Sequence, residues 1–319
     1  MQLEPIDLAH CKRVGRGVQR PEDVVVSCDG RVWLSDQASA CAEVLADGSL
    51  RRVGAAGGAP NGINMDRAGR IVIANYGHGY GRGPLQRLDP ATGVIEVLAE
   101  QLDGRPLVTC NYPVIDSQDR IWCTHSTWGG EEFGADSPRD GLVFRVDPDG
   151  SVHTMASGLD FANGCALDAA EQYLYVCETV GCDVQRFPLR ADGTLGAPER
   201  YGPKLGYAAH EVQHLRPLSL ATRSQLGLTD GCGFDAAGNL WVTLVMANKV
   251  VAITPAGDVV TMLSDPAGAV MQAPTNVSWG GPDLTDLYIG SVRSDYVVKV
   301  KSPIPGMPLV HQRRADQHA

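Results

Sequence analysis

One pattern recurs six times along the 319 residues and constrains the fold more than any single motif. In residues 228–243 it reads LTDGCGFDAAGNLWVT, where Asp230 is followed nine residues later by Asn239 and then by an apolar run. Aligning the other copies on Asp230 defines six position-zero residues: Glu22, Asn61, Asn111, Asn163, Asp230 and Asn276. Four copies also carry an aspartate five residues later: Asp66, Asp116, Asp168 and Asp235.

Each copy continues into a second pair of alternating strands around a turn. Examples are LQRLDPATGVIEVLA at 85–99 and VVAITPAGDVVTML at 250–263. Turn residues between β-branched runs are typical of hairpins, so each unit holds about four strands in roughly 40–50 residues, the span of a propeller blade. The sequence therefore predicts an all-β protein, a closed six-bladed β-propeller that forms one domain over residues 1–319.

Composition excludes some classes of partner. The formal charge of −10 and the pI near 5.2 argue against binding to a nucleic-acid backbone, and no apolar stretch approaches the length of a membrane span. The first 17 residues lack the apolar core of a signal peptide. The nine cysteines form no CxxC pair and lie mostly in apolar runs. We expect reduced core thiols, a cytoplasmic location and a small-molecule partner, with no prediction of the oligomeric state.

The position-zero residues predict a chelating ring. The first strand of each propeller blade lines the central channel, so residues at the mouths of these strands converge on the axis. Two carboxylates, Glu22 and Asp230, with four carboxamides suit a hard divalent ion. The alternative is that each Asx-Gly pair only caps the entrance of its strand. Carboxylates in a narrow channel need a compensating charge, which favours the ion.

Three stretches resemble a known family. They are FANGCALDAAEQYLYVCET at 161–179, TDGCGFDAAGNLWVT at 229–243 and APTNVSWGGPDLTDLYIGS at 273–291. Over about residues 18–303, the chain resembles the SMP-30/gluconolactonase/LRE-type six-bladed propellers, which include regucalcin-like lactonases.

The resemblance implies a site and an activity. Glu22, Asn163 and Asp230 would hold one catalytic divalent ion, with Ca²⁺ expected first and Mg²⁺, Mn²⁺ or Zn²⁺ as alternatives. Asn111 would lie beside the ion and touch it or the substrate. The implied activity is a metal-dependent lactonase, in which Asp230 acts as base or metal-held nucleophile. Hydrolysis of an epoxide or organophosphate in the same channel, or a non-catalytic ligand-binding propeller, remains open.

Two departures from the family pattern affect the expected substrate. The stretch TCNYP has Thr109 and Tyr112 where sugar lactonases of the family often carry arginine and aspartate. We therefore expect Thr109, Asn111 and Tyr112 to contact a less polar substrate. His125 is a candidate for the channel wall, with a core histidine as the alternative. Three loop aromatics are candidates to roof the channel mouth, with ordinary packing as the alternative: Tyr76, Tyr80 and Trp128.

The segment AAHEVQHLRPL at 208–218 contains the zinc-protease pattern H-E-x-x-H, formed by His210, Glu211 and His214. That pattern requires a long helix, and Pro217 would end any helix within a few residues. A short lid over the channel is the favoured interpretation.

Overall fold

The structure, a computed structural model, describes residues 3–55, 58–77, 81–129, 138–208, 211 and 219–313. Its strands form six four-stranded antiparallel sheets, the blades, and one small hairpin. After β1 (Lys12–Val14), blade 1 holds β2 (Val24–Val26), β3 (Val32–Ser35), β4 (Cys41–Val44) and β5 (Leu50–Val53), and blade 2 holds β6 (Pro60–Met65), β7 (Ile71–Asn75), β8 (Leu85–Leu88) and β9 (Ile95–Ala99). The small hairpin is β10 (Gln101–Leu102) and β11 (Arg105–Pro106); blade 3 holds β12 (Cys110–Ile115), β13 (Ile121–His125), β14 (Gly141–Val146) and β15 (Val152–Leu159), and blade 4 holds β16 (Ala162–Leu167), β17 (Tyr173–Glu178), β18 (Asp183–Pro188) and β19 (Glu199–Arg200). Blade 5 holds β20 (Thr229–Phe234), β21 (Leu240–Leu244), β22 (Lys249–Ile253) and β23 (Val259–Ser264), and blade 6 holds β24 (Pro274–Gly280), β25 (Asp286–Ser291) and β26 (Val297–Lys301). The predicted six-bladed propeller is confirmed.

The aspartate that recurs five residues after position zero closes the first hairpin of a blade. Asp116 accepts hydrogen bonds from the backbone N–H groups of Gln118 and Arg120, at 2.9 and 3.0 Å. Its second oxygen accepts from the indole nitrogen of Trp122, at 2.8 Å. Asp235 makes the equivalent contacts in blade 5. The repeat therefore specifies a turn and also anchors the tryptophan that packs between blades.

The propeller closes where an N-terminal strand pairs with the last strand of the chain. Strand β1 is the outer strand of blade 6 and pairs antiparallel with β26, with Lys12 opposite Lys299 and Val14 opposite Val297. Adjacent blades pack closely at the channel, where a glycine follows several position-zero residues. A Cβ on Gly164 would lie 2.5 Å from the Cα of Gly231 in the next blade, so no side chain fits.

The core lies between the blades, and the C-terminal segment crosses one end of the channel. Gln312 donates from Nε2 to the carbonyls of Val26 (3.2 Å) and Trp279 (3.0 Å), which belong to blades 1 and 6. Arg313 pairs with Glu171 of blade 4 at 3.0 Å. All nine cysteines are free thiols, and seven of them are buried. Among the described residues, no helix is long and apolar enough to cross a membrane.

Candidate active site

All six position-zero side chains line one central void of about 10 Å³. Each is at most 8% exposed, and each lies in the first strand of its blade or within two residues of it. A void of this size is comparable with the space that one water molecule occupies, so it is also suited to a single ion.

A larger cavity of about 290 Å³ shares the ring as part of its lining. Every position-zero residue except Asn276 lines it, so the ring lies at the inner end of a substrate-sized space. Tyr76 and Phe161 also line the cavity, with ring centroids 6.5 Å apart, and Leu228 and Met246 add apolar surface.

Two carboxamides of the ring have their nitrogen atoms committed elsewhere. Asn111 donates from Nδ2 to the hydroxyl of Ser126 at 2.9 Å, and Asn163 donates from Nδ2 to the hydroxyl of Thr179 at 3.0 Å. Because neither bond uses the amide oxygen, both side chains keep an oxygen suited to a hard cation or a substrate hydroxyl.

The other two carboxamides are engaged differently. Asn61 accepts at Oδ1 from the Arg20 guanidinium at 3.0 Å, so part of the capacity of its oxygen is already used. Asn276 donates from Nδ2 to Asp23 (2.5 Å) and to the Tyr112 hydroxyl (3.0 Å). Asp23, Tyr112 and Asn276 line the central void but not the larger cavity, so Asn276 is a ring residue that the substrate-sized space does not reach.

The two carboxylates of the ring are only partly compensated, because one arginine lies beside both of them. Burial raises the pKa of Glu22, and burial together with the Glu22 charge raises the pKa of Asp230 well above its usual value. Arg20 opposes both shifts, with its Nη2 3.4 Å from Glu22 Oε2. Glu22 Oε2 is buried and accepts no hydrogen bond within the described part of the chain. Buried carboxylates need such compensation, and a divalent ion would supply it.

The donor set also fits the kind of ion. Within the described ranges, no cluster of three or more His, Cys, Asp or Glu side chains could hold a metal. The ring instead combines two carboxylates with carboxamide oxygens, a set that suits Ca²⁺ or Mg²⁺ better than a soft transition metal.

Two residues expected to contact the substrate, Thr109 and His125, do not line the cavity, and the hydrogen bonds that they make are to backbone groups. Thr109 donates from its hydroxyl to the carbonyl of Thr127 at 2.7 Å. His125 accepts at Nε2 from the N–H groups of Val108 (3.3 Å) and Thr109 (3.2 Å). Burial lowers the pKa of His125 to about 3, so its imidazole is a neutral hydrogen-bond acceptor. The centroids of the imidazole and the Trp128 indole lie 4.2 Å apart.

Tyr112 also lies outside the larger cavity. Its hydroxyl accepts from Asn276, and burial raises its pKa well above the usual value, so the phenol stays neutral. Of the loop aromatics, Tyr76 lines the cavity and Trp128 does not, while Tyr80 lies outside the described residues. His210 and His214 of the zinc-protease pattern also lie outside them.

Sequence reasoning missed several cavity residues. Arg20, Phe161 and Leu228 each lie two positions before a position-zero residue, so the register of the repeat could have identified them. Arg223 and Arg293 lie in connections after β19 and β25, and the repeat carries no signal for them.

The sequence model of the SMP-30/gluconolactonase/LRE-like region matches residues 55–293. The chain belongs to the SMP-30/gluconolactonase/LRE-like family. Its sequence is similar to those of two curated lactonases. The 6-deoxy-6-sulfogluconolactonase of Pseudomonas putida is 29% identical over 217 residues, which cover 67% of this chain and 64% of that protein. Pentonolactonase XacC of Haloferax volcanii is 27% identical over 241 residues, which cover 67% of this chain and 75% of that protein. The chain thus spans slightly less than two thirds of the Pseudomonas protein.

Solved structures of this architecture include a calcium-binding regucalcin from Agrobacterium tumefaciens, with a TM-score of 0.70 and 19% identity, covering 95% of this chain and 97% of that one. A gluconolactonase from Xanthomonas campestris matches with a TM-score of 0.68 and 21% identity, covering 94% of each chain. At these identities the structural matches establish the propeller fold of this family member.

Proposed function

We propose that this protein is a divalent-metal-dependent lactonase that opens a cyclic ester in the cavity above the ring. The observation that carries the proposal is the pair of buried carboxylates, Glu22 and Asp230, that share a single nearby arginine at the inner end of that cavity. Relatives in the family named as lactonases support the reaction class. A structural neighbour described as calcium-binding supports Ca²⁺ as the ion.

Glu22, Asn163 and Asp230 would hold the ion, with Asn111 beside it. When bound there, a divalent ion polarises an ester carbonyl and lowers the pKa of a water molecule. Asn111, fixed by Ser126, orients the ester oxygen of the substrate. The apolar wall that includes Tyr76 holds the body of the substrate and excludes bulk water.

Asp230 is the proposed proton acceptor. Water adds to the carbonyl carbon while a carboxylate oxygen of Asp230 takes its proton. The ring C–O bond then breaks, and the proton passes to the departing alkoxide, which gives the open hydroxy acid. Only the ionised form of Asp230 can accept a proton, and burial disfavours that form by raising the pKa well above its usual value. A nearby positive charge is therefore needed to keep the side chain ionised.

The test is an activity screen of the protein after removal of metal with a chelator. Aliquots reloaded separately with Ca²⁺, Mg²⁺, Mn²⁺ or Zn²⁺ are assayed on aldonolactones and aromatic lactones, with an epoxide and an organophosphate as the competing chemistries. We expect lactone opening to disappear with the metal and to return with one or more ions. Lactone opening that survives complete metal removal would contradict the proposal, as would turnover of only the epoxide or the organophosphate.

A further inference from the structure

Two arginines of the larger cavity have no charged partner within the part of the chain that the structure describes. Arg223, at the end of the short helix α1 (Leu220–Arg223), and Arg293, after β25, both line the cavity. Neither lies within 4.0 Å of a carboxylate among the described residues. The Nε of Arg223 is buried there without a hydrogen-bond partner, which is unfavourable for a guanidinium.

Arg20 provides the contrast within the same cavity. Its guanidinium pairs with Glu22 at 3.4 Å and donates to the carbonyl of Pro60 (3.2 Å) and to Asn61 (3.0 Å). Arg20 is therefore held against the ring, whereas the side chains of Arg223 and Arg293 donate no hydrogen bond to any described residue.

The two arginines enter the cavity from neighbouring blades. Arg223 lies just before blade 5 and Arg293 in blade 6, whereas Tyr76 and Phe161 line the cavity from blades 2 and 4. The protein as a whole carries a formal charge of −10, which disfavours the approach of an anion. Arg223 is half-buried with its Nε buried, and Arg293 is exposed where it lines the cavity. Together they make this part of the cavity locally positive in an otherwise acidic protein, which indicates a site for a negative group.

We propose that the substrate is a lactone with a second, permanently anionic group (a carboxylate, sulfonate or phosphate) that Arg223 and Arg293 bind while the ester reaches the ring. Guanidinium groups match the planar or tetrahedral oxygens of such groups with several charge-assisted hydrogen bonds. The aromatic side of the cavity contacts the carbon skeleton between the two polar ends. The inference rests on the proposed lactonase function and specifies its substrate class.

The test compares lactones that share one ring. Glucono-1,5-lactone is assayed beside its 6-phosphate and 6-deoxy-6-sulfo analogues, and kcat/KM is measured for each. We expect the wild type to prefer the anionic compounds. Arg223→Gln should lower the ratio of anionic to neutral kcat/KM by about tenfold, the effect of losing one hydrogen bond to a charged group. Arg293→Gln should lower it by a smaller factor of about two to five, because this arginine is exposed.

The matched control is Arg190→Gln, which removes the same charge from an exposed arginine on the hairpin that follows β18. It should leave the ratio within about twofold of the wild type, because a distant exposed charge is screened by salt. Arg223→Lys keeps the charge and should retain more of the preference than Arg223→Gln, which separates the charge from the packing of the side chain.

The outcomes separate the two levels of the account. Hydrolysis of neutral and anionic lactones with equal efficiency would overturn this inference and leave the lactonase proposal intact. If no lactone is hydrolysed, calorimetric titration of 6-phosphogluconate and gluconate into the wild type and Arg223→Gln still decides the anion site. Tighter binding of the phosphate that is lost in the variant supports the site, and equal binding of both compounds overturns it.

Discussion

Replacing Gly164 with alanine should separate blades 4 and 5 where they meet at the ring. The new Cβ would lie 2.5 Å from the Cα of Gly231, 2.8 Å from the carbonyl of Asp230 and 2.9 Å from the nitrogen of Cys232. Ordinary contacts begin at 3.4 Å, so the strands must move apart by 0.5 Å (3.4 − 2.9) to 0.9 Å (3.4 − 2.5). All three neighbours are backbone atoms, which cannot rotate away as a flexible side chain could.

Overpacking of this kind costs about 1–3 kcal/mol, and we expect Gly164→Ala to lie toward the upper end. The displaced strand carries Asp230, so the variant should also bind Ca²⁺ more weakly. Urea denaturation measures the free energy of unfolding, and calorimetry measures the ion affinity.

The control is Gly233→Ala, on the same strand as Gly231. Its Cβ would meet the Trp279 side chain at 3.0 Å and other atoms from 3.4 Å, so a small movement of the indole relieves the contact. It should cost less than Gly164→Ala and leave ion binding unchanged. A neutral surface substitution changes the free energy of unfolding by about 0.5 kcal/mol or less. If Gly164→Ala changes it by no more than that, the close approach of the two blades does not constrain the ring.

Three further predictions concern stability. Burial lowers the pKa of His311 from 6.5 to about 4. The neutral imidazole therefore contributes to the free energy of unfolding above pH 6.5, and this contribution is lost as the pH falls toward 4. That shift corresponds to about 3 kcal/mol. His311→Gln should therefore flatten the acid slope in pH-dependent denaturation, and an unchanged slope would contradict this explanation. Asp235→Ala leaves the buried Trp241 indole and turn donors unpaired and should cost about 2–3 kcal/mol. Asp168→Ala, which loses bonds only to backbone N–H groups, should cost less in the same assay, and equal costs would contradict the role of the indole. Removing metal with EDTA should lower Tm more at pH 8 than at pH 5. The pKa values of Glu22 and Asp230 are raised in the native state, so the ion-free native state becomes less stable as the pH rises. A drop in Tm that does not depend on pH would contradict this explanation.

The repeat predicts the fold because its register carries both the strand alternation and the hairpin aspartates. The same register identifies which residue of each first strand faces the axis, and the structure places all six around one void. It does not reveal what each side chain binds. Thr109 precedes Asn111 by two residues, as Phe161 precedes Asn163, yet Thr109 bonds to a neighbouring loop while Phe161 lines the cavity.

The connections between blades escape prediction for a different reason. Arg223 and Arg293 lie in segments outside the repeated strands, where no periodic pattern relates a residue to the axis. The expectation of a less polar substrate rests on Thr109 and Tyr112, which stand where sugar lactonases of the family often carry arginine and aspartate. The cavity nevertheless contains arginines that enter from other blades, so its charge could be assessed only from the assembled ring.

The most direct test of the central claim measures kcat for lactone opening against added Ca²⁺ in the wild type, Glu22→Gln and Asp230→Asn. Both variants lose a negative charge and should need more ion. At saturating Ca²⁺, Glu22→Gln should recover much of its rate, whereas Asp230→Asn should remain about 10²–10⁴-fold slower, the usual cost of a missing general base. Equal, full recovery of both variants would show that Asp230 only holds the ion. Wild-type rates in both variants without added ion would contradict the claim that this ring is the catalytic centre.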